Sequence, residues 1–227
     1  MNYELILLDA DGTLFDYDMA EANALEKAFN YFNIKYVEEV ELEKYRMINK
    51  QIWADYENDK IGFEDLRIER FRRLFQNDEE KVDYNEFSKI YLSLLAGGTY
   101  LKDGAEEVCK YLFTKYKIAI LTNGFKDVQI SRIENSPLNK YIHQIIVSEE
   151  TGYKKPDIGI FNYAFNKIGH ANKGTTLIVG DSLTSDIQGG INYKISTCWY
   201  NSIGEENKTG LKPDYEIKDL KELFKLL

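Results

Sequence analysis

Asp9 and Asp11 stand one residue apart at the end of the aliphatic run Leu5-Ile6-Leu7-Leu8, with Gly12 and Thr13 next. Clustered carboxylates repel unless a cation or a shared proton offsets their charge. Successive residues of an extended chain point to opposite faces, so the two Asp side chains are expected to project the same way. Taken alone, the pair reads equally well as a turn after a strand, because Asp favours turns. Repetition shifts the balance. Thr122 and Asn123 follow Ile118-Ala119-Ile120-Leu121, and Glu149 and Glu150 follow Gln144-Ile145-Ile146-Val147, with Lys155 just beyond. Asp181 and Asp186 follow Thr176-Leu177-Ile178-Val179. Each of these apolar runs ends in side chains able to bind charge or move protons.

Short aliphatic runs bounded by turn residues read as strands buried on both faces, as in a parallel sheet. Helices are expected between them: from a cap at Asp103 to about Lys115, from about Asp127 to Asn135, from Pro156-Asp157 to Ile168, and from about Thr184 to Tyr193. A strand at Ser196–Tyr200, a short extended piece near Tyr215 and a helix over Leu220–Leu227 complete the pattern. Alternating strands and helices predict an α/β fold with a doubly wound parallel sheet. The carboxyl ends of such strands lie along one edge, where ligands bind. The polar clusters are expected there.

Residues 17–95 show no strand pattern. Apolar residues recur at helical spacing instead: Ala20, Ala24, Leu25, Ala28 and Phe29, then Leu42, Tyr45, Ile48, Ile52, Trp53 and Tyr56, then Leu66, Arg70, Phe71 and Leu74, then Phe87, Ile90, Tyr91 and Leu94. Asn58-Asp59 and Gln76-Asn77-Asp78 are expected breaks. So long a block is not an ordinary connection between strands. It predicts an all-helical domain over residues 17–97, inserted into a core made of 1–16 and 98–227.

With 44% hydrophobic and 30% charged residues, the composition is that of a globular protein. A formal net charge of −9 disfavours nucleic acid polymers and anionic membranes as partners. Cys109 and Cys198 are far apart and are expected as small buried hydrophobes, as suits a reducing cytoplasm. His143 and His170 sit in no ligand spacing and are expected to be structural or exposed. No basic leader or membrane-length apolar stretch is visible, so a cytoplasmic location is expected. A monomer or weak dimer is the expected state.

In this order, these residues resemble the haloacid dehalogenase superfamily. Asp9-Ala10-Asp11-Gly12-Thr13 is similar to its first motif, Thr122-Asn123-Gly124 to its second, Lys155 in Gly152-Tyr153-Lys154-Lys155-Pro156 to its third, and Gly180-Asp181-Ser182-Leu183-Thr184-Ser185-Asp186 to its fourth. The resemblance implies a Rossmann-like core with the helical insert as cap domain. It also implies Mg²⁺ as cofactor, held by the side chains of Asp9 and Asp181, the backbone carbonyl of Asp11 and, through water, Asp186. Within the superfamily, Asp11 argues for phosphatase or phosphomutase chemistry, since a halide leaving group needs no acid. The stretch Asn49-Lys50-Gln51-Ile52-Trp53-Ala54-Asp55-Tyr56 resembles the bacterial pyrimidine 5′-nucleotidase branch, as do Leu121–Phe125, Ser148–Gly152 and Thr197–Asn201.

The chemistry can be argued residue by residue. Phosphoryl transfer needs an in-line nucleophile, neutralised phosphoryl oxygens and a proton for the leaving oxygen. Asp9 suits the nucleophile, forming an aspartyl-phosphate. Asp11 suits the acid that protonates the leaving oxygen and the base that then activates water. Thr122 offers a hydroxyl, Lys155 a point charge, and Asp181 a hard oxygen ligand. Asn123 is a further candidate for the phosphate. Lys50, Trp53 and Tyr56, at helical spacing, could present a charge and ring faces to a base or sugar, or could be cap core and solvated surface. The expected substrate is a nucleoside monophosphate. Sugar phosphates and other small phosphoesters, a mutase, and a catalytically silent phosphate-binding relative remain as alternatives.

Overall fold

A computed structural model describes residues 2–76 and 82–227. β1 (Leu5–Leu8) is buried along its whole length. Four aliphatic side chains alternating between two faces need cover on both, and only an internal strand provides it. The chain then runs through α1 (Tyr17–Tyr31), α2 (Glu38–Glu57), α3 (Phe63–Leu74) and α4 (Tyr84–Ala96). It continues through α5 (Ala105–Phe113), β2 (Lys117–Thr122), α6 (Lys126–Glu134), β3 (Gln144–Val147), α7 (Ser148–Thr151) and α8 (Ile158–Ile168). β4 (Thr176–Gly180), α9 (Gln188–Tyr193), β5 (Ser196–Tyr200), β6 (Tyr215–Ile217) and α10 (Leu223–Leu226) complete it. Met1–Tyr17 with Thr99–Leu227 form one compact unit, and Asp18–Gly98 a second.

In the first unit six strands form one sheet in the order β3-β2-β1-β4-β5-β6. Every neighbouring pair is parallel. Leu8 pairs with Ile120 of β2 on one side and Val179 of β4 on the other. Strand order therefore reverses at β1, and the crevice that such a reversal opens lies at its carboxyl end. The period of two divides the core. Ile6, Leu8, Ile118, Ile120, Leu177 and Val179 pack with Val108, Cys109 and Leu112 of α5 and Leu223 of α10. Leu5, Leu7, Ala119, Leu121 and Ile178 pack with Ile160, Phe161, Ala164 and Phe165 of α8 and Tyr193 of α9. This is the α/β, doubly wound architecture that the alternating pattern predicts.

Phe161 is fully buried, stacks on Tyr193 at 5.2 Å between ring centroids, and touches the central strands. Phe161→Ala is expected to lower unfolding stability by about 3–5 kcal/mol, through lost transfer energy and the cavity left behind. Urea unfolding measures it. A loss below about 1 kcal/mol would mean that the α8 layer collapses onto the gap. Both cysteines lie in this core, where burial pushes the Cys109 and Cys198 thiols up to about 12. His143 is structural: its Nδ1 accepts the Ile118 N–H at 3.1 Å.

Two local expectations fail. Asp103 does not cap α5. The residue before the helix is Gly104, at φ 75°, and Asp103 instead accepts from Lys221 at 3.1 Å. The expected helix from Thr184 begins as a π-helical turn over Leu183–Ile187 and becomes α-helical only at Gln188. Such widened turns concentrate at functional sites, and this one carries Asp186.

The second unit is helical, with the core that its spacing predicts: Ala20, Ala24, Leu25, Ala28 and Phe29 of α1, Leu42, Tyr45 and Ile52 of α2, and Leu66, Arg70, Phe71 and Leu74 of α3 are buried. Arg70 interrupts the apolar packing, with buried Asn49 and Glu21 beside it. It donates to the Leu66 carbonyl (2.7 Å), the Tyr45 hydroxyl (3.3 Å) and Asn49 (3.2 Å), and Asn49 donates to Glu21 at 3.2 Å. Asn58 closes α2 as its C-cap, as the sequence predicts. The expected break at Asn77-Asp78 lies outside the described residues. Among the described residues no helix is long and apolar enough to cross a membrane.

Candidate active site

The carboxyl ends of β1, β2 and β4 bring the candidate residues together. Lys155, 1% exposed, is the hub. Its ammonium donates to Asp9 Oδ1 at 2.5 Å, to Asp186 Oδ1 at 2.6 Å and to the Leu121 carbonyl at 2.7 Å, which uses all three of its hydrogens. Asn123 holds the backbone of the same residue at both ends, donating to the Lys155 carbonyl (2.9 Å) and accepting its N–H (2.8 Å). The Asn123 amide is thereby committed to placing Lys155. Thr122 is buried and its hydroxyl oxygen accepts the Gly124 N–H at 3.2 Å, which leaves its hydrogen to donate.

Carboxylate oxygens of Asp9, Asp181 and Asp186 lie within 4.8 Å of one another. One Asp186 oxygen accepts from Lys155, and the second accepts the Ser182 N–H at 3.1 Å. Three carboxylates against one ammonium leave a surplus of two negative charges. Burial first, and then the neighbouring Asp186 and Asp181, hold Asp9 well above the ordinary carboxylate range, although Lys155 pulls the other way. Asp181 opens to solvent at the rim, yet partial desolvation and then Asp186 push it up to about 7. Burial opposes the Lys155 charge, but Asp186 and Asp9 outweigh it and hold the ammonium above its usual value. The cluster is therefore short of positive charge. Hard oxygen donors with a surplus of two charges fit a divalent cation such as Mg²⁺.

Gly12 makes this crowding possible. Its φ is +82°, and a Cβ there would meet an Asp181 oxygen at 2.3 Å. The turn it forms ends the extended run, so Asp9 and Asp11 take different partners. Asp11 lies outside the three-acid group. Its oxygens accept from Gln129 Nε2 (2.5 Å) and from the Arg132 guanidinium. Sequence reasoning missed both donors, and also Trp199, whose indole N–H donates to the Asp181 carbonyl at 2.8 Å. A signal for the first two existed: a glutamine and an arginine three apart on the face of α6 that also buries Val128 and Ile133. Glu149 accepts the Lys126 N–H at 2.7 Å and so caps α6.

Lys50, Trp53 and Tyr56 lie on α2 of the helical unit. Lys50 is exposed, and Trp53 and Tyr56 are half-buried. The rings of Trp53 and Tyr56 meet edge to face at 6.0 Å, and Tyr56 meets Phe63 at 5.6 Å.

Residues 6–200 match the family model of the haloacid dehalogenase-like hydrolases. The chain belongs to that family. It is 35% identical to the HAD-hydrolase YfnB of Bacillus subtilis, over 99% of this chain and 95% of that one. It is 32% identical to the pyrimidine 5′-nucleotidase YjjG of Escherichia coli, over 100% of this chain and 99% of that one. To the pyrimidine 5′-nucleotidase PynA of Streptococcus pneumoniae it is 34% identical, over 100% and 96%. A crystal structure of YfnB bound to magnesium matches the fold with a TM-score of 0.94 at 34% identity, covering 100% of this chain and 99% of that one. The Rossmann-like core is thus the family's fold, and the chain is an enzyme, a hydrolase of this family.

Proposed function

We propose that this hydrolase is a Mg²⁺-dependent phosphomonoesterase acting through an aspartyl-phosphate on Asp9, and that its substrates are pyrimidine nucleoside 5′-monophosphates. The observation that carries the reading is the Asp9–Lys155–Asp186 cluster with Asp181 at the sheet's switch point, on a chain similar over its length to two pyrimidine 5′-nucleotidases. An Asp9 oxygen attacks phosphorus in line with the ester oxygen. Lys155 holds that carboxylate and offers its charge to the phosphoryl oxygens, while the Thr122 hydroxyl donates to one of them. Asp11 protonates the leaving oxygen and then takes a proton from the water that releases phosphate from Asp9. Mg²⁺, held by Asp9, Asp181, the Asp11 carbonyl and, through water, Asp186, would neutralise charge on the phosphoryl group. We assign the helical unit the role of cap, with Lys50, Trp53 and Tyr56 as its candidate contacts to base and sugar. An intact nucleophile, acid and lysine argue against a silent phosphate-binding relative.

Phosphate release with Mg²⁺, measured across nucleoside monophosphates, sugar phosphates and an aryl phosphate, tests this reading. Fastest turnover is expected on pyrimidine monophosphates. Equal or faster turnover of sugar phosphates would keep the chemistry and remove the nucleotidase assignment. Without substrate, Mg²⁺ at 100 times its Kd is expected to stabilise the fold by about 2.7 kcal/mol, an effect lost in Asp181→Asn. A melting temperature that ignores Mg²⁺ would remove the metal.

A further inference from the structure

Gln129 and Arg132 project from the buried face of α6, and Arg132 has no exposed surface. A charge taken out of water needs a partner, and here the partner is Asp11. Gln129 donates to one carboxylate oxygen and Arg132 to the other. The guanidinium lies 4.8 Å from the centroid of the Phe15 ring. The short loop that carries the acid therefore also supplies the surface on which its partner rests. Gly124 leaves room for the amide, since a Cβ there would meet Gln129 Nε2 at 2.3 Å. Two donors from one helix, each on a different oxygen, fix both the position and the rotation of the carboxyl group.

We infer that Gln129 and Arg132 are positioning residues that aim Asp11 at the leaving oxygen, an inference that rests on the phosphatase reading above. In the first transfer an Asp9 oxygen bonds to phosphorus and the P–O ester bond breaks. The electron pair stays with the leaving oxygen, which takes the Asp11 proton. How well that proton follows the breaking bond depends on where the Asp11 oxygens point. The contribution of the two positioning residues therefore scales with the leaving group's need for a proton. The alkoxide of a nucleoside needs one. A nitrophenolate leaves without it.

The test compares kcat/KM, which reports the first transfer, on uridine 5′-monophosphate and p-nitrophenyl phosphate. The full-length wild type is measured beside Asp11→Asn, Gln129→Leu, Arg132→Met and Arg132→Lys. Gln129→Leu and Arg132→Met are expected to lose about 10²-fold on the nucleotide and no more than roughly threefold on the aryl ester. Arg132→Lys, which keeps the charge, recovers part of that loss. Asp11→Asn shows the same discrimination on a larger scale, roughly 10²–10⁴-fold. A merely structural role lowers both esters alike, so equal losses in folded Gln129→Leu, or no loss at all, would overturn the inference. If Asp11→Asn itself fails to discriminate, the acid–base assignment of Asp11 falls first. Gln129→Leu removes the donor and changes no charge, so it carries the test should Arg132→Met fail to fold.

Discussion

Asp9→Asn is expected to lower phosphate release by on the order of 10⁴-fold or more, the scale on which enzymes lose rate when a nucleophile is removed. The fold is expected to become no less stable. An amide has the shape of the carboxylate but cannot form the acyl-phosphate bond. Ionised, the native carboxyl is buried beside Asp186 and Asp181, and these two with burial hold it above its ordinary range despite Lys155. The surroundings thus disfavour the ionised form that attack on phosphorus requires, as in sites where activity and stability conflict. Lys155 still donates to Asp186 and to the Leu121 carbonyl when Asp9 is neutral. A phosphate assay and a thermal melt in metal-free buffer measure the two effects. Retention of more than about a tenth of the activity would exclude Asp9 as nucleophile. A lowered melting temperature would show that the Asp9–Lys155 pair outweighs the crowding of carboxylates.

Lys155→Met is expected to damage both activity and stability. It removes the ammonium that stands between Asp9 and Asp186 and leaves two buried carboxylates facing one another. Breaking a buried pair from one side costs about 3–5 kcal/mol. At this chain length that corresponds to a fall in melting temperature of roughly 6–20 °C. The deficit depends on pH, with a definite sign. Asp9 already has a folded-state value above its unfolded one, and removing Lys155, whose pull lowers it, raises it further. Over the window between those values the folded chain binds more protons than the unfolded chain, so stability falls as pH rises. Urea unfolding at about pH 5 and about pH 8 should therefore show the larger deficit at the higher pH. An equal deficit at both would mean that losing Lys155 leaves the protonation of Asp9 unchanged over that range. Activity is expected to fall by at least about 10²-fold, as when a preorganised donor to developing charge is lost.

Much of the core was legible along the chain because its signals are local. Leu5–Leu8, Gln144–Val147 and Ser196–Tyr200 are the strands that their apolar runs predict, to the residue. Buried parallel strands must be apolar on both faces, which leaves a short unbroken run that needs no partner to be recognised. The inward faces of α1 and α3 were legible for the same reason, through the helical period. Alternating strands and helices then restrict the topology to a few sheets whose carboxyl ends share an edge, so the residues at those ends could be named in advance.

Only the tertiary structure decided what those residues touch. Asp11 meets Gln129 and Arg132 across 118 and 121 residues, and Lys155 meets Asp9 across 146. Such contacts follow from how helices and strands pack, and no sequence spacing encodes them. The same holds where the local reading failed. Asp103 has the chemistry of a cap but takes Lys221 from the far end of the chain. Asp186 has the look of a surface acid near a helix start, yet a widened turn delivers it to a buried lysine. By itself the sequence determined the elements and the chemical types at the sheet edge, because period, composition and turn preference are properties of neighbouring residues. The pairing of charges, and with it the difference in setting between Asp9 and Asp11, was left to the folded chain, because it depends on distances that only packing creates.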